Sequence, residues 1–196
     1  MAKIGVLALQ GAVSEHLDSI RLAGGEGVAV KRVEQLDEID GLIIPGGEST
    51  TIGKLMRKYG FIEAIRGFSA AGKPIFGTCA GAIVLATQLE GGEEPHLCLM
   101  NMTVARNAFG RQRESFETDL EVKGFDTPIR AVFIRAPLIR EVGEGVEVLA
   151  TFRGEIVLAR QGHLLASSFH PELTNDTRLH GLLLDMARRR AAAASA

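Results

Sequence analysis

Pro74-Ile75-Phe76-Gly77-Thr78-Cys79-Ala80-Gly81 joins an apolar run to a cysteine between glycines, and this pattern indicates the fold class. We predict a strand at Pro74–Gly77 and a helix directly after the turn, at Ala80–Leu89. A strand that passes straight into a helix is the repeating unit of α/β proteins, whose parallel strands are joined by right-handed crossovers. The turn between the two elements is therefore the first place to look for chemistry.

The flanking segments extend this alternation. In the first half, strands are predicted at Ile4–Leu9, Gly27–Val33 and Gly41–Ile44, with helices from a Ser14 cap to Gly24-Gly25, at Thr51–Tyr59 and at Phe61–Ala71. Continuous apolar runs of this kind are typical of buried parallel strands. The pattern predicts a single α/β domain over residues 1–196, three-layered and flavodoxin-like, with a mostly parallel sheet.

The second half has a different character, because it contains short strand candidates separated by turns. Phe152-Arg153-Gly154-Glu155 is typical of a hairpin, so we expect antiparallel strands to be added to the sheet here. The candidates are Met102–Ala105, Phe116–Val122, Ile129–Ile134, Val146–Phe152, Glu155–Arg160 and Leu164–Phe169, followed by a closing helix at Arg178–Arg190 and a frayed tail at 191–196.

The composition is that of an ordinary globular protein, with 46% hydrophobic and 23% charged residues in a chain of 196. These values exclude disordered, collagen-like and coiled-coil classes. The two cysteines exclude a disulfide framework and a four-cysteine zinc site, and the net charge of −2 does not indicate a nucleic-acid-binding surface. The apolar runs are too short for a transmembrane helix and the amino terminus lacks a signal-peptide pattern, so we expect a cytoplasmic protein with no nucleic-acid or membrane partner.

The turn at Gly77-Thr78-Cys79-Ala80-Gly81 has the pattern G-x-C-x-G, the thiol counterpart of the nucleophile elbow. Glycines allow the close backbone approach that such a turn needs, and a helix amino terminus favours a thiolate. The backbone N–H of Ala80 is placed to donate to a developing oxyanion. A free cysteine is more often a buried apolar side chain, and that reading is preferred for Cys98, which has apolar neighbours and no flanking glycine.

A second group is Phe169-His170-Pro171-Glu172, at the end of the last predicted strand. Residues two apart in an extended segment point the same way, and proline keeps the preceding residue extended. Glu172 can therefore hold one ring nitrogen of His170 while the other faces outward, which is the logic of a catalytic triad. The alternative is a surface turn. The remaining histidines lack metal-ligand spacing, so we expect neither a metal nor a cofactor; they are His16 and His180, on helices among charged residues, and His96 and His163.

A third group is Pro45-Gly46-Gly47-Glu48-Ser49, which follows the strand Gly41–Ile44. Open α/β sheets bind ligands at the carboxyl ends of their strands, and paired glycines let a backbone N–H turn toward a ligand. We expect Ser49 or Thr50 to cap the next helix. The loop lacks the lysine and the spacing of a P-loop, and a plain turn is the alternative reading.

Together these blocks resemble the class I (triad) glutamine amidotransferases. They closely resemble one family within that class, the glutaminase subunits of two-component pyridoxal 5′-phosphate synthases. The matching blocks cover nearly the whole chain, in order: Leu7–His16, Pro45–Thr50, Phe76–Ile83, Arg106–Glu117, Val132–Pro137 and Phe169–Thr174.

The resemblance implies an enzyme that hydrolyses L-glutamine through a glutamyl thioester on Cys79, with His170 as acid and base and Glu172 orienting it. Backbone N–H groups of Gly47 and Ala80 would hold the oxyanion. Free glutamine carries an ammonium and a carboxylate, so its site needs an acidic and a basic partner. The residues that match substrate-binding positions are Gly47, Glu48, Ser49, Arg106, Ile134 and Arg135.

The resemblance also implies a partner, a barrel-shaped synthase subunit that receives the ammonia before water protonates it. Gln10 and Gly11 are expected at this contact, and the Gly46-Gly47 loop is expected to become competent on docking. Two alternatives stay open at this point. One is a stand-alone cysteine hydrolase such as a peptidase or a deglycase-like enzyme, in which the histidine usually follows the cysteine closely. The other is a non-catalytic scaffold, which would be expected to lack a triad residue.

Overall fold

The computed structural model describes residues 1–106, 108–109 and 115–196. Its α-helices are α1 (Val13–Leu22), α2 (Ser49–Lys58), α3 (Phe61–Ala70), α4 (Ala80–Leu85) and α5 (Arg178–Ala194). Its strands are β1 (Lys3–Leu7), β2 (Glu26–Val30), β3 (Gly41–Ile44), β4 (Ile75–Thr78), β5 (Ala86–Leu89), β6 (Met100–Ala105), β7 (Ser115–Leu120), β8 (Ile129–Ile134), β9 (Leu138–Val142), β10 (Glu147–Phe152), β11 (Glu155–Gln161) and β12 (Leu164–Ser167). Short 3-10 helices lie at Val33–Glu38 and Pro171–Leu173.

The central sheet has the strand order β2-β1-β3-β4-β12-β11-β9-β6-β5, with β10 also paired to β11. The first five strands in this order are parallel, and β12, β11, β9 and β6 pair antiparallel in turn. The predicted fold, flavodoxin-like and mostly parallel in its first half with antiparallel strands added later, is therefore confirmed.

Helices cover both faces of the sheet, which gives the three layers that the sequence predicts. In β3, Leu42 and Ile44 pack on one side with Ile52 of α2 and Ile65 of α3. Ile43 points to the opposite side, toward α1 and α5. Since all the core positions of β3 are fully buried, its side chains are apolar without alternation, as expected for a strand covered on both faces.

The small antiparallel sheet of β7 and β8 packs beside the main sheet through aromatic rings. Phe116 of β7 and Phe133 of β8 stack with ring centroids 4.7 Å apart, and Phe133 also contacts Phe169 at 5.6 Å. The backbone N–H of His170 donates to Val132 O of β8 at 2.8 Å. This contact fastens the segment after β12 to the small sheet, so that β8 borders the site described below.

Several predicted boundaries were wrong. The first helix begins after Ala12, which makes no side-chain cap, and Ser14 lies inside it. The helix predicted at Ala80–Leu89 ends at Leu85, because the chain becomes extended at Ala86 and pairs with β6 as a strand.

Three further differences concern segments with charged or exposed residues. The sequence prediction omits β9, where Arg140 and Glu141 interrupt the apolar pattern. The second strand stops at Val30, before the 3-10 helix. The closing helix continues to Ala194, and the fraying of residues 191–196 stays a prediction. No helix in the described part of the chain combines the length and the apolar character needed to cross a bilayer.

Candidate active site

Cys79 lies on the turn between β4 and α4 in a strained backbone conformation, with φ 52° and ψ −107°. A positive φ is uncommon for any residue other than glycine. The turn is held by the Cys79 N–H, which donates to Ser167 O of β12 at 2.8 Å. A side chain at Gly77 or Gly81 would collide with backbone, since a Cβ would lie 2.5 Å from Gly81 O in the first case and 2.0 Å from Ile44 O in the second. The glycines thus let α4 start directly against the sheet.

His170 stands beside Cys79 and is held from behind by Glu172. The His170 Nδ1–H donates to Glu172 Oε1 at 2.6 Å, and the imidazole is also hydrogen-bonded to Cys79. The Glu172 side chain is fully buried, whereas 12% of the His170 side chain remains exposed. Burial lowers the pKa of His170, but hydrogen bonds to Cys79 and Glu172, and the charges of both, outweigh it and raise the pKa to about 10. The raised pKa favours the imidazolium form of His170 beside Cys79.

The Gly46-Gly47 loop lies next to this pair. A Cβ at Gly46 would be 2.6 Å from His170 Cε1, so a larger residue there would displace the histidine. The segment after β1 clamps the loop, because the Ala12 N–H donates to Gly46 O at 3.0 Å and the Glu48 N–H donates to Gln10 Oε1 at 2.7 Å. Gln10 therefore fixes the peptide that follows the proposed oxyanion donor, Gly47.

Glu48 caps α2, a role for which the sequence predicts Ser49 or Thr50. Its carboxylate accepts the N–H groups of Thr50 and Thr51 at 3.1 and 2.7 Å and the Thr51 hydroxyl at 2.6 Å. The hydroxyl bond has the largest effect and, together with the N–H groups, lowers the pKa of Glu48 to about 2. The expected cap was wrong because a carboxylate one residue earlier reaches the same orphan N–H groups. Ser49 is instead buried beside the site.

Arg106 joins two carboxylates at the rim of the site. Its Nη2 donates to Glu48 Oε1 at 3.1 Å and its Nη1 to Glu93 Oε2 at 2.8 Å. The Arg106 side chain is 30% exposed, and it lines the same cavity as Cys79. Within the Arg106–Glu117 block that carries part of the resemblance, residues 107 and 110–114 lie outside the described residues.

A cavity of about 440 Å³ opens over the cysteine. This is within the size range of pockets that bind small molecules. The residues lining it are Gly11, Ala12, Gly46, Gly47, Glu48, Ser49, Cys79, Ala80, Ile83, Arg106, Ile134, Arg135, Pro137 and His170. The structure thus brings nearly all the predicted site residues to one cavity, with Gln10 beside it and Glu172 behind His170.

The clustering follows from the sheet. The segments that carry Gln10, Gly46, Cys79 and His170 follow strands β1, β3, β4 and β12, which all run in the same direction. Their carboxyl ends meet at one edge, where open α/β sheets bind ligands. Sequence reasoning missed Ile83 and Pro137, which line the cavity as apolar wall; no motif marks such residues.

Cys98 is exposed, and its prediction as a core residue was wrong. The apolar neighbours Leu97 and Met100 are buried, but a left-handed backbone at Cys98, with φ 54°, turns its side chain outward. It borders a separate cavity of about 630 Å³ with Met56 and His96. Backbone geometry, and not the apolar character of the segment, decides which side chain enters the core.

Two histidines that the sequence places among charged residues are fully buried behind Glu172. His16 and His180 are 0% and 1% exposed, and their Nδ1 and Nε2 atoms are 2.9 Å apart. The sequence does contain a signal for His16, which lies four positions before the buried Ile20 and so on the inner face of α1. Among the described residues, no group of His, Cys, Asp and Glu is arranged to hold a metal ion.

The fold and the linked side chains of Cys79, His170 and Glu172 define the class: an α/β protein with the side-chain arrangement of a cysteine-hydrolase triad. The family follows from comparison with known sequences. The chain belongs to the SNO glutamine amidotransferase family, whose model matches residues 6–189.

Similar proteins carry related names. A protein of Niallia circulans named pyridoxal 5′-phosphate synthase subunit PdxT is 72% identical, over 95% of this chain and 98% of that protein. A protein of the same name from Halalkalibacterium halodurans is 61% identical, over 96% of each chain. A crystal structure described as a glutamine amidotransferase superposes with a TM-score of 0.90 at 53% identity, covering 94% of this chain and 98% of the other.

Proposed function

We propose that this chain is the glutaminase subunit of a pyridoxal 5′-phosphate synthase. It hydrolyses L-glutamine to L-glutamate and ammonia and passes the ammonia to a synthase partner. Membership of the glutamine amidotransferase family and two relatives named as synthase subunits support this. The single observation that carries the chemistry is the contact chain from Cys79 through His170 to the buried Glu172, open to a cavity of about 440 Å³.

The reaction starts from the Cys79–His170 ion pair. The thiolate attacks the side-chain amide carbon of glutamine, and the resulting oxyanion accepts hydrogen bonds from the backbone N–H groups of Gly47 and Ala80. The carbon–nitrogen bond then breaks, and the His170 imidazolium gives its proton to the departing nitrogen, which leaves as ammonia. Water attacks the glutamyl thioester, His170 accepts a proton from it, and the Cys79 thiolate leaves as glutamate is released.

Glu172 orients His170 throughout this cycle. Because Nδ1 of His170 donates to its carboxylate, Nε2 is left to exchange protons with the substrate. The buried negative charge also stabilises the imidazolium, which is present at the start of the cycle and forms again when water attacks the thioester. Without it, His170 would lose both its orientation and part of its raised pKa.

The rim of the cavity supplies the charges that free glutamine requires. Glu48 stays ionised across the physiological range, since its pKa is lowered to about 2, and so attracts the ammonium group. Arg106 and Arg135 attract the carboxylate of glutamine. Ile134 and the buried Ser49 line the space that the glutamine side chain occupies. A neutral amide lacking either charged group would bind this rim weakly.

Docking of the partner acts on the loop that holds the oxyanion. Gln10 and Gly11 contact the synthase. Gln10 also accepts the Glu48 N–H, and Gly11 lies close against Gly46, so both residues border the Gly46-Gly47 loop. A partner that binds the competent loop conformation more tightly shifts the population toward it. Ammonia release is thereby tied to the presence of an acceptor, which prevents its loss to water.

A direct test follows glutamate release from glutamine by the purified chain, with and without the barrel-shaped synthase subunit. We expect slow turnover by the chain alone and faster turnover in the complex. Cys79→Ala should abolish the activity and leave docking intact, whereas Cys98→Ala, the matched control at the exposed cysteine, should retain it.

The same assay separates the alternatives. A chain that cleaved peptides or repaired aldehyde adducts, and that was inert toward glutamine with its partner, would be a stand-alone cysteine hydrolase. A chain that docked and showed no turnover at all would be a scaffold. Equal damage from Cys98→Ala would show that the nucleophile is misassigned.

A further inference from the structure

A buried polar cluster lies behind the triad, formed by His16 of α1, Thr78 of β4 and His180 of α5. His16 Nε2 is 3.2 Å from Thr78 Oγ1, and His16 Nδ1 is 2.9 Å from His180 Nε2. All three residues are at most 1% exposed. Polar groups withdrawn from water in this way are costly unless they bind one another or serve the site.

The cluster lies next to Oε2, the Glu172 carboxylate oxygen that does not contact His170. Oε1 accepts the hydrogen bond from His170, whereas Oε2 is fully buried and has no hydrogen-bond partner among the described residues. His16 Nε2 lies 3.5 Å from Oε2, slightly beyond hydrogen-bond length. A buried carboxylate oxygen left without a donor is strongly unfavourable, and His16 is a neighbouring group that can supply the proton.

The tautomer of His16 follows from counting donors. If Nδ1 carried the proton, it would donate to His180, and the bare Nε2 would face the carboxylate with its lone pair. His180 would then carry its proton on Nδ1, which has no partner among the described residues and would be an orphan donor. If instead Nε2 of each ring carries the proton, His180 donates to His16 and His16 points its N–H at Thr78 and Glu172. Only an acceptor nitrogen is then left over, which is the less costly defect.

The lowered pKa values of both rings favour their neutral forms, so their role is to donate a hydrogen bond and not to add a charge. Burial, followed by the charges of His180 and His170, lowers the pKa of His16 well below its ordinary value. Burial alone lowers the pKa of His180 to about 4. The groups that face His16 are His180 from α5, Thr78 from β4, and Glu172 with His170 from the segment after β12.

We propose that His16 is a positioning residue for the glutaminase reaction: its Nε2–H holds the Glu172 carboxylate aimed at His170, while His180 fixes the tautomer of His16. This rests on the proposed glutaminase function. The order of donation is His180 to His16, His16 to Glu172, and His170 to the other oxygen of Glu172. Each oxygen of the Glu172 carboxylate thus accepts a hydrogen bond, so His170 is not the sole group that fixes its orientation.

The test compares His16→Leu, which removes the donor, with His16→Gln, whose amide N–H2 reaches the place of Nε2. Each is assayed in the complex with the synthase subunit. We expect His16→Leu to lower kcat by about ten- to a hundredfold with KM changed by less than about threefold. His16→Gln should restore most of kcat. His163→Leu is the control, because it breaks the His163–Ser69 hydrogen bond at the far end of β12 and should leave kcat unchanged.

A second measurement does not depend on the folding of a variant. Long-range proton–nitrogen correlation spectra of the wild-type chain should show His16 protonated on Nε2 and unprotonated on Nδ1 up to high pH. Protonation on Nδ1 would overturn the proposal, as would full activity of His16→Leu or equal losses in the leucine and glutamine variants. A wild-type complex without glutaminase activity would instead refute the proposed function, while the tautomer result would stand by itself.

Discussion

Adding one methyl group at Gly81 should damage both stability and catalysis. A Cβ there would lie 2.0 Å from Ile44 O, and real Cβ atoms essentially never lie within 3.0 Å of a heavy atom. The first turn of α4 and the end of β3 would therefore have to separate by about 1 Å, which places Gly81→Ala at the upper end of the cost of overpacking, about 3 kcal/mol or more. Because α4 carries the backbone next to Cys79, the nucleophile moves with it, and a displacement of that size costs about a hundredfold in rate.

The matched control is Gly67→Ala, also within a helix. Gly67 lies in α3, and no heavy atom is within 4 Å of the position that an added methyl group would take, so the change should stabilise the protein by about 0.5–1 kcal/mol. Urea denaturation of both variants gives the free energies of unfolding, and glutamate release in the synthase complex gives the rates. Wild-type stability and activity in Gly81→Ala would refute the argument that close approach of α4 to β3 sets the position of the nucleophile.

Three further predictions concern the charges and clamps of the site. The folded-state pKa of His170 is raised to about 10 from an ordinary value of about 6.5, so the stabilisation from the protonated ring is full below about pH 6.5 and is lost as the pH approaches 10. His170→Gln should therefore destabilise the chain more near pH 6 than near pH 10 in urea titrations. A difference in unfolding free energy that does not change with pH would contradict the ion pair. Arg106→Gln should raise KM for glutamine about tenfold with little change in kcat if, as proposed, the guanidinium binds the unreactive end of the substrate; a loss confined to kcat would exclude that role. Gln10→Ala removes the acceptor of the Glu48 N–H and should reduce partner-stimulated glutamate release by about three- to tenfold, and unchanged stimulation would show that the clamp is dispensable.

Local patterns are sufficient for the elements nearest the site. The strand Gly41–Ile44 is predicted at its observed bounds, and β4, the turn at Cys79 and the start of α4 follow from one apolar run and two glycines. These features are encoded locally, because a continuous apolar run needs burial on both faces and a close backbone approach needs glycine. The same logic links His170 with Glu172, whose spacing of two in an extended segment directs both side chains to one side.

Local patterns fail where a tertiary contact decides the outcome. The predicted helix Ala80–Leu89 is four residues too long, because Ala86–Leu89 pairs with β6, a strand formed later in the chain. The apolar neighbours of Cys98 predict a core position, although a positive φ turns this residue to the surface. The sequence marks Glu48 only as a substrate contact, and its second role as the cap of α2 depends on backbone geometry that its neighbours do not encode.

Residues within a few positions of one another are enough to predict the alternation of strands and helices from β1 to the start of α4, the strained turn at Cys79 and the pairing of His170 with Glu172. Two other contacts arise only when the chain folds: Gln10 accepts the N–H of the residue after Gly47, and His16 meets His180 behind the triad. His16 and His180 are 164 positions apart, and the residues around either histidine do not predict its contact with the other. They meet because α1 and α5 cover the same face of the sheet, which is a consequence of chain topology and of the burial of that face.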